Sequence, residues 1–390
     1  MSAPFRGIDF YAFDELLTSE QRAVRDAVRD WVSKRFIPVI EQHHRAGTFP
    51  MNLVPELAEM GILGAPIHGY DCAGMDAVSY GLILQELERG DSGLRSFASV
   101  QTSLCMWPIW AYGSEAQKTR WLPDMSRGKK LACFGLTEPD HGSNPGGMIT
   151  RAKKKGNKWI LNGAKMWITN ASVADVAVVW AKDEADVIRG FLVEKGSPGF
   201  STKETVNKWS LRASSTGELI FGDCEIPEEN VLAGVQGLKG PLSCLTQARY
   251  GIAWGAIGSA MACYDASVNY AQTRIQFGKP IGAFQLNQEK IAYMLTEITK
   301  GQAICLRLAQ LKDAKTLKPE QVSLAKRNNV DMALTIARLA RDLHGANGIT
   351  DEYPVIRHML NLESVKTYEG THDIHTLVLG QAATGIAAYQ

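Results

Sequence analysis

The sequence predicts an α+β fold in three parts: helical from residue 14 to about 130, strand-rich from Cys133, and helical again beyond Gly240. Three observations carry this prediction. Apolar residues recur every three or four positions in the first and last thirds. Short apolar runs bounded by Gly156-Asn157, Asn162-Gly163 and Ser197-Pro198-Gly199 fill the middle. No long helix alternates with those runs, which argues against a doubly wound parallel sheet and for a mainly antiparallel barrel. The domains implied are 1–132, 133–239 and 240–390.

Taken in order, Thr18 and Gln21 form a capping box before Val24, Val28 and Val32, a helix expected to stop at Pro38. Asn52 to Leu63 reads as a short second helix and Ala77 to Arg89 as a third, with Gly90 to Gly93 breaking the chain. The uncharged run Ser96 to Ser114 spans 19 residues, but Gln101, Thr102, Ser103 and Pro108 make it a buried helix rather than a membrane span. Lys158 to Leu161, Val176 to Trp180, Phe191 to Glu194 and Leu219 to Phe221 read as strands, with Lys153 to Lys155 on a solvated edge. Ala256 to Thr273, a long helix opening near Phe284, Val322 to His344 and Thr371 to Ala383 read as a helix bundle. No low-complexity linker separates the three parts, so they are expected to share interfaces.

The totals exclude several functions. With 390 residues, the chain builds a large core without staples. Its seven scattered cysteines, never closer than 19 apart, suggest neither disulfides nor a zinc knuckle. Net charge is +1, from 42 basic and 41 acidic residues, which offers no footprint for nucleic acid or an anionic membrane. A small-molecule partner is expected, without a metal. The opening MSAPFRGIDF lacks an apolar leader core, so a cytoplasmic protein of bacterial type is expected, or else a processed matrix protein.

Two stretches concentrate chemistry. KTYEGTHDIH (Lys366 to His375) gathers six titratable side chains around one glycine, directly after the apolar-patterned run Val355 to Val365. If a helix ends near Thr367, Gly370 permits a turn and Thr371 or Asp373 caps the next helix, leaving Glu369 at the joint. In an apolar pocket that carboxylate would have a raised pKa and could take a proton from carbon; the alternative is a solvated, capped loop. Further upstream, Glu88, Arg95, Ser96 and Ser99 set two charges and two hydroxyls against a greasy helix. They form either a structural ion pair or a dock for a substrate carboxylate.

Further motifs follow: FGLTEPDHGS (Phe134 to Ser143), WITN (Trp167 to Asn170), RIQFG (Arg274 to Gly278) and DLHGANG (Asp342 to Gly348). In this order, with YEGTHDIH behind them, the chain resembles the acyl-CoA dehydrogenases over nearly its whole length. ERGDSGLRS (Glu88 to Ser96) and SCLTQARYGIAWG (Ser243 to Gly255) extend the likeness to the glutaryl-CoA-oxidising, decarboxylating branch. The resemblance implies an N-terminal helical domain, a central β-domain and a C-terminal four-helix bundle. It also implies FAD, a homotetramer, and electron-transfer flavoprotein as electron acceptor.

Position by position, the resemblance makes Glu369 the base for the substrate α-proton, while the β-hydrogen leaves as hydride to flavin N5. The Glu369 amide and a flavin hydroxyl would hold the developing enolate. Trp167, Ile168 and Thr169 would pack on the flavin, with Phe134, Leu136 and Thr137 along its pyrimidine side and Gly142 and Ser143 beside them. Ser143, Leu242, Ser243, Leu245 and Arg249 would meet the CoA thioester. Arg274, Phe277, Gln285, Asp342, Leu343, His344, Gly345 and Ala346 would reach the FAD of a neighbouring subunit, and Thr371, His372 and Asp373 would complete that pocket.

Glu88, Arg95, Ser96, Ser99, Tyr368 and Gly370 would surround the acyl group. A guanidinium at the end of an apolar slot disfavours a fatty tail and suits a second carboxylate, so glutaryl-CoA is the expected substrate, and crotonyl-CoA and CO2 the products. Three alternatives remain: a short straight-chain acyl-CoA dehydrogenase with Arg95 in a structural pair, an acyl-CoA oxidase differing in electron acceptor, and a silent scaffold, which a retained Glu369 disfavours. The sequence departs from the family turn at Asn144, where aspartate is usual, and at Leu94, where relatives often carry an aromatic residue.

Overall fold

The computed structural model describes residue 5 and residues 7–388. Its first helix, α1 (Ser19–Trp31), opens on Thr18 and Gln21, which exchange both hydrogen bonds of a capping box. It turns Val28 and Trp31 inward. Pro38 does not end this run. A π-helical segment, Val32–Phe36, leads into α2 (Ile37–Ala46), where Pro38 falls in the first turn and its missing N–H costs nothing. Gly47, at φ 71°, ends α2 instead. The second expected helix is shorter than Asn52 to Leu63: α3 covers only Val54–Glu59.

α4 (Ala77–Gly90) is buried on every side, which is why its sequence lacks a polar stripe. The expected break after it is one residue, Asp91, which leaves α4 in an extended conformation and caps α5 (Ser92–Ser99) at the Gly93 amide. A second π-helical segment, Val100–Met106, α6 (Trp107–Tyr112) and α7 (Glu115–Ser126) complete the region.

The sheet contains β1 (Ala132–Gly135), β2 (Arg151–Lys155), β3 (Lys158–Thr169), β4 (Val176–Lys182), β5 (Ile188–Glu194), β6 (Phe200–Glu204) and β7 (Thr216–Pro227). The expectation of a mainly antiparallel barrel holds for the pairing and not for the closure. β5 lies along one side of β4, while β1 and β2 share its other side, and β3, β7 and β6 follow. β1 and β2 run parallel to β4, and the other pairings are antiparallel. β5 and β6 end the path without pairing to each other, so the sheet curls without closing. Strand-like runs reveal pleated, half-buried surface but not the neighbour each run will choose. Lys153, Lys154 and Lys155 do lie on an exposed stretch of β2.

α8 (Lys239–Thr273) is 35 residues long, about 52 Å at 1.5 Å per residue, and begins well before Ala256. A small hairpin of β8 (Ile275–Gln276) and β9 (Lys279–Pro280) follows. α9 (Gln285–Asp313), α10 (Pro319–Leu343), α11 (Val355–Thr367) and α12 (His372–Thr384) complete the chain. α4 packs on α8, and α8 packs on α9 and α10. One hydrophobic core therefore joins both helical regions, with Ile83, Leu84 and Leu87 beside Trp254, Ile257 and Met261.

The α4–α8 contact depends on a glycine stripe. A Cβ at Gly258 would stand 1.9 Å from the Gln85 carbonyl oxygen, one at Gly255 2.0 Å from Glu88 Oε2, and one at Gly251 2.5 Å from Leu84 Cδ1. Only residues without side chains let these helices approach so closely. Among the described residues no helix is long and apolar enough to cross a membrane, the seven cysteines are free, and no three metal-ligating side chains cluster.

Beneath the sheet, Lys165 Nζ meets Glu138 Oε1 at 2.8 Å, both side chains fully buried. Glu138 also accepts from the amides of Ile149 (2.6 Å) and Thr150 (3.0 Å), and Lys165 donates to the Leu136 carbonyl at 3.1 Å. The pair fixes the turn that follows β1. Removing one partner strands the other, so Lys165→Met should lower unfolding stability by about 3 to 5 kcal/mol. A loss below about 1 kcal/mol in denaturant titration would show that the pair is dispensable.

Candidate active site

α11 ends at Thr367, as its sequence predicts, and Thr371 caps α12 by accepting the Ile374 amide at 3.2 Å. Between them Glu369 adopts φ 53° and Gly370 φ 90°. Glycine accepts such a conformation freely; for glutamate it is strained, at a cost on the order of 1 to 3 kcal/mol. All three carbonyls of the turn are held. Arg249 Nε donates to the Glu369 carbonyl at 2.7 Å, with His375 Nε2 3.3 Å from the same oxygen. Lys326 Nζ donates to the carbonyls on either side, Tyr368 at 3.0 Å and Gly370 at 2.8 Å. A Cβ at Gly370 would come 2.8 Å from His375 Nε2, so the turn has no room for a larger residue.

The Glu369 side chain is treated differently from its backbone. Its Oε2 is buried without a hydrogen-bond partner among the described residues. Burial raises its pKa, while Arg95, Arg249 and Lys326 pull it back. An ionisable oxygen kept unpaired beside strained backbone is poised to accept a proton from whatever enters.

Arg95, 1% exposed, lies across the joint. Its Nε donates to Glu88 Oε2 at 2.6 Å, and its Nη2 donates to the Tyr368 hydroxyl. Ser92 Oγ donates to the other Glu88 oxygen at 2.9 Å, and Ser96 Oγ lies 3.4 Å from the Tyr368 hydroxyl. Burial pushes that phenol up to about 12, so it stays protonated. Ser99, one turn beyond Arg95 on α5, has a buried Oγ with no partner. The structure thus brings Glu88, Arg95, Ser96, Tyr368, Glu369, Gly370 and Arg249 together. Sequence reasoning missed Lys326, Ser92 and Gly255, and counted His375 only among the titratable groups of its stretch. Lys326 had a readable signal, because it interrupts the apolar face of α10 between Val322, Ala325, Val330 and Ala333.

The other candidates form separate groups. Trp167 sits at φ 62° where the β3–β7 register shifts, and this bulge leaves its indole 56% exposed beside buried Ile168. Thr169 pairs with Thr216 at the end of β3. Phe134 and Leu136 are buried and Thr137 half-buried, its carbonyl accepting the Met166 amide at 2.9 Å. Gly142 and Ser143 lie on an exposed turn. On the first turns of α8, Leu242 is exposed, Leu245 buried, and Ser243 Oγ lies 2.7 Å from the Tyr112 hydroxyl. His372 is half-buried and Asp373 exposed at the start of α12.

Arg274 lies beyond the far end of α8, about 38 Å from Arg249 at 1.5 Å per residue. Phe277 there is 92% exposed, and Arg274, Gln285, Asp342, Gly345 and Ala346 are exposed too. Leu343 is buried, and His344 is enclosed between the rings of Tyr270 (4.4 Å) and Tyr353 (4.8 Å). Within one chain, this group does not meet Glu369.

Three family models match the chain: "Acyl-CoA dehydrogenase, N-terminal domain" over residues 18–129, "middle domain" over 133–224 and "C-terminal domain" over 235–384. A solved glutaryl-CoA dehydrogenase from Mycobacterium smegmatis is 53% identical, with TM-score 0.95 and 97% of each chain covered. Another from that organism, in complex with FADH2, is 49% identical with TM-score 0.97, covering 98% of this chain and 99% of that one. The mitochondrial short-chain specific acyl-CoA dehydrogenase of Rattus norvegicus is 34% identical over 93% of this chain and 90% of its own length.

The Glu369 environment makes a prediction that needs no substrate. Folding raises its pKa, so the native state binds the proton more tightly than the unfolded chain. Glu369 therefore costs no stability below the ordinary carboxylate range and an increasing amount as pH rises through the native pKa. Glu369→Gln should match the parent in acid and be the more stable at neutral pH. Equal melting temperatures at pH 7 would show that the carboxylate is solvated.

Proposed function

The chain belongs to the acyl-CoA dehydrogenase family, and from that premise we propose that it oxidises glutaryl-CoA with FAD, yielding crotonyl-CoA and CO2. The observation that carries the reading is the pair of buried oxygens that have no partner among the described residues, Glu369 Oε2 and Ser99 Oγ, with the buried Arg95 guanidinium held by Glu88 and Tyr368. An acyl thioester with a terminal carboxylate would set its α-carbon against Glu369 Oε2 and its far oxygens against Arg95 and Ser99. A butyryl tail would leave the guanidinium edge facing methyl groups.

The flavin has a platform that fits it: the flat, exposed indole of Trp167 on its bulge, with Thr169, Phe134, Leu136 and Thr137 along the neighbouring strand ends. When bound, FAD supplies the two-electron acceptor for the β-hydrogen. The chain's own residues do the rest. Glu369 takes the α-proton, helped by a raised pKa, because a base too acidic would leave a carbon-bound proton in place. The Glu369 amide receives the thioester oxygen as charge grows there, a donor worth about 2.7 to 4 kcal/mol when preorganised.

Arg95, Ser99 and the protonated Tyr368 hydroxyl hold the far carboxylate. In the enoyl product the bond to that carboxylate is allylic. It breaks to release CO2, its electron pair delocalises into the thioester, and the proton held by Glu369 goes to the γ-carbon. Glu88 partly neutralises Arg95, so the guanidinium orients the carboxylate without trapping it. The closeness of that pair, 2.6 Å, also suits a second reading, a short straight-chain acyl-CoA dehydrogenase in which Arg95 serves structure alone.

A homotetramer accords with the position of the Arg274 and Asp342 group, which needs a second subunit to reach a flavin. Electron-transfer flavoprotein is the acceptor expected from the family, and a comparison with molecular oxygen separates dehydrogenase from oxidase. The central test is carboxyl-labelled glutaryl-CoA with an artificial acceptor. Label release with flavin bleaching is expected, and faster turnover of butyryl-CoA would select the short-chain reading. Arg95→Met should cut glutaryl-CoA turnover by about 100-fold or more, as expected for losing a buried charged partner, and butyryl-CoA turnover far less. Equal losses would assign Arg95 to structure.

A further inference from the structure

Lys326 enters the core of the bundle on α10, 1% exposed, and the mechanism above gives it no task. A buried lysine is expensive unless something repays its desolvation, and among the described residues no carboxylate hydrogen-bonds to Lys326. Its Nζ instead donates to two backbone carbonyls, those of Tyr368 and Gly370, on either side of Glu369.

The first contact bears on the reaction. The Tyr368 carbonyl and the Glu369 amide belong to one planar trans peptide, so the C=O and the N–H point in opposite directions. Anchoring the oxygen on Lys326 aims the hydrogen away from it, and a cation on the oxygen also polarises the N–H as a donor. The second contact fixes the next peptide but one, and Arg249 holds the carbonyl between. The strained turn is thus pinned at consecutive carbonyls from α8 and α10.

We propose that Lys326 is a positioning residue for the Glu369 turn: by gripping the carbonyls of Tyr368 and Gly370 it aims the Glu369 amide at the thioester oxygen and holds the carboxylate for proton transfer. This rests on the acyl-CoA reading of the site. Lys326 acts without touching substrate. Its charge has a second effect, because Glu369 faces Arg95 from α5, Arg249 from α8, Lys326 from α10 and the imidazole of His375 from α12. The three cations lower the Glu369 pKa, while burial raises it. Burial also brings Lys326 itself down to about 7, with Glu369 opposing that fall. His375, pushed down to about 3 by burial, stays neutral throughout.

The test is Lys326→Met in the flavin-loaded enzyme, read by α-proton exchange of a bound acyl-CoA as a function of pH. Exchange should fall about 10- to 100-fold, the size expected when reacting groups lose their alignment. Flavin content and acyl-CoA dissociation constant should stay within about threefold, a margin under 1 kcal/mol. The acid limb of the profile should move to higher pH, since a base freed of one neighbouring cation binds its proton more tightly. Lys326→Arg, which keeps charge and donors, should recover part of the rate and return the limb. Unchanged exchange and pH profile in Lys326→Met would overturn the proposal, as would a uniform loss of flavin and ligand binding that Lys326→Arg shares. If Lys326→Met does not fold, Lys326→Gln is held to the same outcomes. A parent enzyme that exchanges no α-proton with any acyl-CoA would overturn the acyl-CoA reading itself, a result separable from both.

Discussion

The structure depends on keeping one carboxylate oxygen, Glu369 Oε2, buried and unpaired by its described neighbours. Water is the natural partner of an ionised glutamate, and removing it without a substitute raises the pKa. Pairing Glu369 directly with a guanidinium would restore stability and abolish its basicity. The fold takes neither course. Arg249 Nε and Lys326 Nζ bond to the backbone around Glu369, and among the described residues nothing donates to its Oε2. The nearest cations therefore stabilise charge without donating a hydrogen bond to the oxygen that has to accept a proton.

That arrangement needs a rigid frame, since a backbone held at φ 53° relaxes if its carbonyls are released. Six helices supply it. α11 and α12 deliver the turn, α8 and α10 bind its carbonyls, and α4 with α5 closes the opposite side through Glu88 and Arg95. Because α4 belongs to the first part of the chain and α8 to the last, the site forms only when the two share a core, as Leu84 and Trp254 do.

Much of this was legible in the sequence, and what was hidden has physical causes. The Thr18 box, the end of α11 at Thr367 and the Thr371 cap are local devices, and local residues announce them. Val32–Phe36 escaped notice because a π-turn lets a helix absorb a proline, so Pro38 looked like a stop. The parallel pairing of β1 with β4 joins strands separated by a hairpin, and nothing in either run encodes the other. The position of Lys326 on the buried face of α10 was legible, but its task was not, because its partners are backbone carbonyls, which leave no mark on residue identity. Gly251, Gly255 and Gly258 also looked ordinary until the opposing helix was in place.

Those three glycines set the limits on redesign. Two packed helices can ordinarily be drawn closer by trimming the side chains between them, but a contact built from bare backbone has nothing left to trim. Along α8 the approach to α4 is already at its closest, and each added carbon would press on Glu88, Gln85 or Leu84. Any side chain gained at Gly255 would displace Glu88 and with it the Arg95 pair, so that helix spacing and the electrostatics of the joint are forced to change together.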